Sequence, residues 1–168
     1  EQVRDYNQLK MLKAFTDNGM AATHMLGTTG YGLWDAGREK LEEIFAQVMG
    51  AEDALVRTQF MSGTHTLAVA LFGVLRTGDT LLAATGRPYD TLEGVIGLDG
   101  KCRGNGTLMD YGVHYDEAPL LADMTPDDGL IAEKAPHAAV CHIQRSRGYL
   151  QRAAFDLATI QKIADTAK

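Results

Sequence analysis

A chain of 168 residues with 45% apolar and 23% charged residues has the material for a globular core. A net charge of −6 with no basic stripe argues against a nucleic-acid surface, and no apolar run approaches membrane-spanning length. Two cysteines, Cys102 and Cys141, make no disulfide framework, and residues 1–6 lack a signal-peptide core, so the expected compartment is the cytoplasm.

Residues 5–18 read as an amphipathic helix, with Leu9, Leu12 and Phe15 on its apolar side and Asn18-Gly19 as its stop. The run Gly27-Thr28-Thr29-Gly30-Tyr31-Gly32 is too rich in glycine for regular structure, and its glycine-flanked Tyr31 is poorly explained by core packing. Trp34 reads as a packing anchor. Asp35 caps the next helix, whose apolar face is Leu41, Ile44, Phe45, Val48 and Met49 and whose stop is Gly50. Arg38 lies one turn inside it. Residues 54–57 are a short extended candidate.

Ser62 then opens a helix on which Leu67, Ala68, Leu71, Val74 and Leu75 recur at helical spacing. The backbone N–H groups that follow a cap have no intrahelical partner and sit at the positive end of the helix dipole. Gly63 and Thr64 therefore offer a ready anion site, suited to a phosphate group. An ordinary capped helix is the plainer reading of the same residues. His65, on the first turn, either faces a ligand there or is simply a helix residue.

Residues 80–84 form an apolar strand that ends at Thr85-Gly86, and 91–98 a short helix. The glycine-dense stretch 97–106 reads as a mobile connection. Residues 113–118 fit a second strand, and 138–143 a third buried on both faces, which would leave Cys141 inert. Residues 155–168 are helical. The apolar stripe Ile160, Ile163, Ala167 reaches the end of the chain without a stop signal, and Glu1 is not an initiator methionine. The expectation is a portion of a longer protein.

Strands alternating with helices predict a layered α/β architecture, in which ligands collect beyond the carboxyl ends of the strands. The turn Gly86-Arg87-Pro88-Tyr89-Asp90-Thr91 falls there. Tyr89, behind the fixed backbone of Pro88, either presents its ring to a planar heterocycle or packs on its own loop. The third strand's end, Gln144-Arg145-Ser146-Arg147-Gly148-Tyr149, offers Arg145 and Arg147 as carboxylate or phosphate ligands, or as charges on a solvated loop. The histidines and cysteines show no metal-ligand spacing, and no metal is expected. Phosphate-loop, dinucleotide and serine-hydrolase motifs are absent.

Six strings occur in order: the glycine run at 27–32, Asp35-Ala36-Gly37-Arg38, Glu52-Asp53-Ala54-Leu55-Val56-Arg57, Ser62-Gly63-Thr64-His65, Gly86 to Leu92, and Gln144 to Tyr149. Together they closely resemble the aluminium-resistance or methionine gamma-lyase-like proteins, a branch of the Cys/Met-metabolism enzymes that depend on pyridoxal 5′-phosphate. The resemblance runs from about Leu9 to the chain end. It implies part of the large cofactor-binding domain of the aspartate-aminotransferase type (fold type I), a mostly parallel sheet flanked by helices. Residues 1–50 would then be an amino-terminal helical arm with a glycine-rich loop, and 51–168 the first part of the large domain.

It also implies roles. Ser62, Gly63 and Thr64 would hold the cofactor phosphate, Tyr89 would stack on the pyridine ring, and Tyr31, with Arg38 as a further candidate, would approach the site of an adjoining subunit in a homodimer or homotetramer. Arg145 and Arg147 would meet the carboxylate of an amino-acid substrate or the oxygen side of the cofactor. The implied activity is a carbon–sulfur lyase acting on a sulfur amino acid. The Schiff-base lysine and ring-nitrogen aspartate of the family are not seen among the strings, so the catalytic residue is unassigned. An inactive or regulatory protein of the same fold, or another phosphate-ligand enzyme, is the alternative.

Overall fold

The computed structural model describes residues 1–28, 35–102 and 104–168. Tyr31, with its flanking glycines, and Trp34 lie outside the described residues. The chain forms two compact units, Glu1–Phe60 and Met61–Lys168.

The first unit holds α1 (Gln2–Asp17), a short 3-10 turn (Ala22–Met25) and α2 (Ala36–Met49). Helix α1 starts three residues earlier than its apolar pattern suggested and ends as expected at Asn18, with Gly19 in the left-handed region. The Asp35 carboxylate accepts the Arg38 N–H at 3.1 Å, and Gly50, at φ 69°, closes α2. The apolar faces are less covered than their periodicity implied. Leu9 and Leu12 are 67% and 57% exposed, and Leu41, Phe45 and Met49 are exposed as well, while Ala14, Ile44 and Ala46 are buried. Residues 54–57 join no ladder among the described residues; instead the Val56 N–H donates to the Glu42 carboxylate at 2.9 Å, and Arg57 pairs with the same group at 2.6 Å. A carboxylate on α2 thus replaces the strand partner that the extended pattern called for.

The second unit begins with α3 (Gly63–Val74), followed by β1 (Thr80–Ala83), α4 (Asp90–Ile96), β2 (His114–Glu117), α5 (Asp128–Lys134), β3 (Val140–His142) and α6 (Leu157–Thr166). The three strands form a parallel sheet in the order β2-β1-β3, with Leu82 in register with Asp116 on one side and Cys141 on the other. Because parallel neighbours need a crossover, each strand is followed by a helix. Two cores result. Leu71, Leu75, Leu81, Leu92, Ile96, Leu108 and Val113 pack together, and Ala84, Ala118, Ile131 and Ile163 form the second cluster. Each fully buried Leu or Ile contributes about 1.5–3 kcal/mol of transfer free energy. Val74, expected on the buried stripe of α3, is exposed.

Strand β3 is half-buried rather than buried on both faces. Cys141 packs beside the second core, and burial still pushes its thiol up. The same partial burial pushes the His142 imidazole down. Helix α5 was not legible from its sequence, although Asp127 caps it by accepting the Leu130 N–H at 3.0 Å.

The glycine-dense connection is pinned. The Asp110 carboxylate accepts N–H groups from Gly104, Thr107 and Gly106 at 2.8, 2.9 and 3.2 Å, and Asp99 accepts those of Lys101 and Cys102, both at 3.0 Å. The glycines supply left-handed turns that bring these donors round one carboxylate (Gly104 φ 84°, Gly106 φ 89°).

Candidate functional site

The site is assembled at the carboxyl end of the sheet from three segments: the start of α3, the turn after β1 and the turn after β3. Helix α3 begins as its cap residue dictates. Ser62 is extended, and its hydroxyl accepts the His65 N–H at 3.1 Å. The Ser62 carbonyl takes the Thr66 N–H at 3.0 Å. That leaves the Gly63 and Thr64 amides without a partner among the described residues, at the positive end of a twelve-residue helix. Gly63 leaves the approach open, since a Cβ there would meet nothing within 4 Å.

Thr64 links this amide pair to the second segment. Its hydroxyl lies 2.9 Å from that of Thr91 and 3.4 Å from the Tyr89 phenol. Tyr89 is half-buried, packs beside the first core and forms the entry to α4, its carbonyl accepting the Leu92 and Glu93 N–H groups at 3.0 and 3.1 Å. Arg87, in the same turn, donates two parallel bonds to Glu93 at 2.8 and 2.9 Å. That fork holds the Arg87 charge more firmly than usual. Next to it, the Tyr115 hydroxyl donates to Glu117 at 2.6 Å, and burial together with that carboxylate pushes the phenol well up.

The third segment is stitched to the second. The Gln144 N–H donates to the buried Thr85 hydroxyl at 2.9 Å, and the Gln144 side-chain oxygen accepts the Tyr89 N–H at 3.0 Å. Arg145 turns to its own loop, donating from Nε to the Phe155 carbonyl at 3.2 Å. Arg147 is exposed.

Of the residues singled out in the sequence, Ser62, Gly63, Thr64, His65 and Tyr89 gather at one place, with the Arg145–Arg147 loop tied in through Gln144. His65 has its Nδ1 engaged, accepting the Met61 N–H at 3.2 Å. Arg38 belongs to the first unit, where its guanidinium lies 3.9 Å from Asp35 and lines a cavity with His24, Leu41 and Ile44. Sequence reasoning passed over Gln144 and Arg152. Both look like ordinary polar loop residues, and only the pairing of distant loops reveals them. The lysines belong to other segments: Lys10 and Lys13 to α1, Lys40 to α2, Lys101 to the glycine-dense connection, Lys134 to the end of α5, and Lys162 and Lys168 to α6 and the residues after it.

A parallel α/β unit with an anion-ready helix start and a tyrosine beside it, both beyond the strand ends, has the open-sheet arrangement in which ligands collect at the carboxyl ends of the strands. The sequence profile of methionine gamma-lyase matches residues 1–168, and the chain belongs to that family. An uncharacterized Bacillus subtilis protein, YnbB, is 42% identical over 164 residues, which cover 97% of this chain and 39% of that protein. A Listeria monocytogenes crystal structure, provisionally named a cystathionine beta-lyase involved in aluminum resistance, is 42% identical. It superposes with a TM-score of 0.94 over 99% of this chain and 41% of its own. A Clostridium novyi NT structure named a carbon-sulfur lyase involved in aluminum resistance gives 38% identity and a TM-score of 0.92, over 99% and 40%. The chain thus spans about two fifths of the length of these relatives. Among the described residues no helix is long and apolar enough to cross a membrane.

Proposed function

We propose that this chain forms the cofactor cradle of a cytoplasmic, pyridoxal 5′-phosphate-dependent carbon–sulfur lyase acting on a sulfur amino acid. The observation that supports this best is the Gly63 and Thr64 amides, without a partner among the described residues, linked to Tyr89 through the Thr64 hydroxyl at 3.4 Å from the phenol. The fit is chemical as well as spatial. Two amides and the Thr64 hydroxyl suit a phosphate monoester, and a half-buried aromatic ring suits a pyridine ring lying alongside it. Neither group needs a metal to act.

When bound, pyridoxal 5′-phosphate supplies an electron sink for breaking bonds at an amino acid's carbons. The residues of this chain bind and orient. Gly63 and Thr64 would hold the phosphate end through their N–H groups. Tyr89 would lie against one face of the ring and shield it from water. Thr91 holds the Thr64 hydroxyl in place to donate or accept. Arg147, exposed on the neighbouring loop, is available to a substrate carboxylate, whereas Arg145 is engaged with the Phe155 carbonyl. The names of the Listeria and Clostridium neighbours support the lyase reading. Tyr31 of an adjoining subunit completing the site, as in a homodimer or homotetramer, belongs to the same proposal.

The test uses full-length protein supplied with pyridoxal 5′-phosphate and a panel of sulfur amino acids. Release of thiol, ammonia and a 2-oxo acid in equal amounts is expected, and Thr64→Val should weaken cofactor affinity about tenfold. Cofactor binding without turnover of any sulfur amino acid would point to an inactive or regulatory protein. A sugar phosphate that raises the melting temperature while pyridoxal phosphate does not would sink the cofactor reading.

A further inference from the structure

We propose that Gln144, braced by the buried Arg152, is a positioning residue that sets the attitude of the Tyr89 ring; this rests on the cofactor reading above. Three constraints act on the Tyr89 backbone. Pro88 fixes the preceding torsion, and the first turn of α4 takes the Tyr89 carbonyl. The remaining handle, the Tyr89 N–H, goes to the Gln144 side-chain oxygen at 3.0 Å, across 55 residues of sequence.

An amide side chain can do this only if it is itself held. The Gln144 Nε2 donates to the Ser146 carbonyl at 3.2 Å, and its backbone N–H is tied to Thr85 at 2.9 Å. Arg152 completes the brace. Its Nη2 donates to the Gln144 and Ser146 carbonyls at 3.1 and 2.7 Å, and its Nη1 to the Ala153 carbonyl at 2.8 Å. The guanidinium lies 3.9 Å from the centre of the Phe155 ring.

Arg152 is only 7% exposed, and no carboxylate pairs with it among the described residues. A buried cation is retained at such a place for its planar fork, which reaches three carbonyls that an ammonium could not satisfy in the same geometry. Gly148 closes the arrangement. At φ 55° it passes so near that a Cβ would stand 3.2 Å from the Gln144 Nε2 and 3.9 Å from the Tyr89 Cβ. Helix α4 is secured separately, by Leu92 in the core and by the Arg87–Glu93 fork, so loss of the Gln144 contact frees the ring without unfolding the helix.

The experiment uses full-length protein stripped of cofactor and two probes measured by calorimetry. Pyridoxamine 5′-phosphate carries ring and phosphate but no aldehyde, and inorganic phosphate carries only the anion. Gln144→Met and Arg152→Met should each weaken pyridoxamine phosphate about tenfold and leave phosphate affinity unchanged. Gln144→Glu, which keeps the oxygen acceptor for the Tyr89 N–H but loses the Nε2 donor to the Ser146 carbonyl, should restore only part of the loss. In a Tyr89→Ala background Gln144→Met should have no further effect.

Equal weakening of both probes, unchanged pyridoxamine phosphate affinity, or full additivity with Tyr89→Ala would each overturn the assignment. Wild-type protein that ignores pyridoxamine phosphate would instead overturn the cofactor reading, and the role of Gln144 with it. Should Arg152→Met fail to fold, Gln144→Met and Gln144→Glu decide the matter alone.

Discussion

Replacing Gly97 with alanine should be among the costlier single-methyl additions in this chain. Gly97 ends α4 at φ 105°, where an L side chain costs about 1–2 kcal/mol. The added Cβ would also stand 2.7 Å from the Thr107 Oγ1 and 3.1 Å from the Thr107 Cβ. Thr107 is 4% exposed and has no room to swing aside, and its hydroxyl accepts the Asp110 N–H at 3.2 Å. Losing that bond adds about 1 kcal/mol, for a total of roughly 3 kcal/mol. Gly100→Ala is the internal control. It too has a left-handed φ, 69°, but a Cβ there meets nothing within 4 Å, so only the torsional cost of about 1 kcal/mol should appear. Urea unfolding of the two variants, compared at unchanged slope, separates the terms. Equal losses at 97 and 100 would show that the glycine-dense segment does not press on Thr107 and would refute the packing argument.

Ser62→Ala removes the cap on the His65 N–H and should lower stability by about 1 kcal/mol, read from the shift in urea midpoint. Leu92→Ala opens a cavity beneath α4 and should cost about 2–5 kcal/mol by the same assay; a loss under 1 kcal/mol would mean the first core collapses freely. Asp110 carries a pH signature. Its three backbone donors hold the carboxyl down at about 2, below its unfolded value of 3.8. Its contribution is therefore fully present above pH 3.8 and lost as pH falls toward 2, and Asp110→Asn should flatten stability across that window. An unchanged acid limb in the variant would show that the cluster does not titrate this way.

The local signals were legible in the sequence where one residue type decides the outcome. Asp35, Gly50 and Ser62 each fix a helix end through a single hydrogen bond or torsion, and each end lies where its residue predicts. The apolar run at β1 is as plain, because every side chain from Leu81 to Ala84 is buried. Expectations failed where a distant partner decides. Residues 54–57 have strand-like residues, yet Glu42 takes the donor a ladder would have used. The segment around Gly104 and Gly106 looks loose until Asp110 gathers its N–H groups. Helix α5 is short and carries Gly129, so its periodicity is too weak to mark Asp127 as a cap. At the site, the Gly63 and Thr64 amides and Tyr89 are encoded locally, whereas the Gln144–Tyr89 bond spans 55 residues and leaves no local trace.

A crystal structure of the full-length protein grown with pyridoxal 5′-phosphate addresses the main claim without intermediaries. The phosphate oxygens should lie within hydrogen-bonding reach of the Gly63 and Thr64 amides, with the pyridine ring stacked against Tyr89. A cofactor bound at another place, or bound here with its phosphate turned away from the start of α3, would contradict the account.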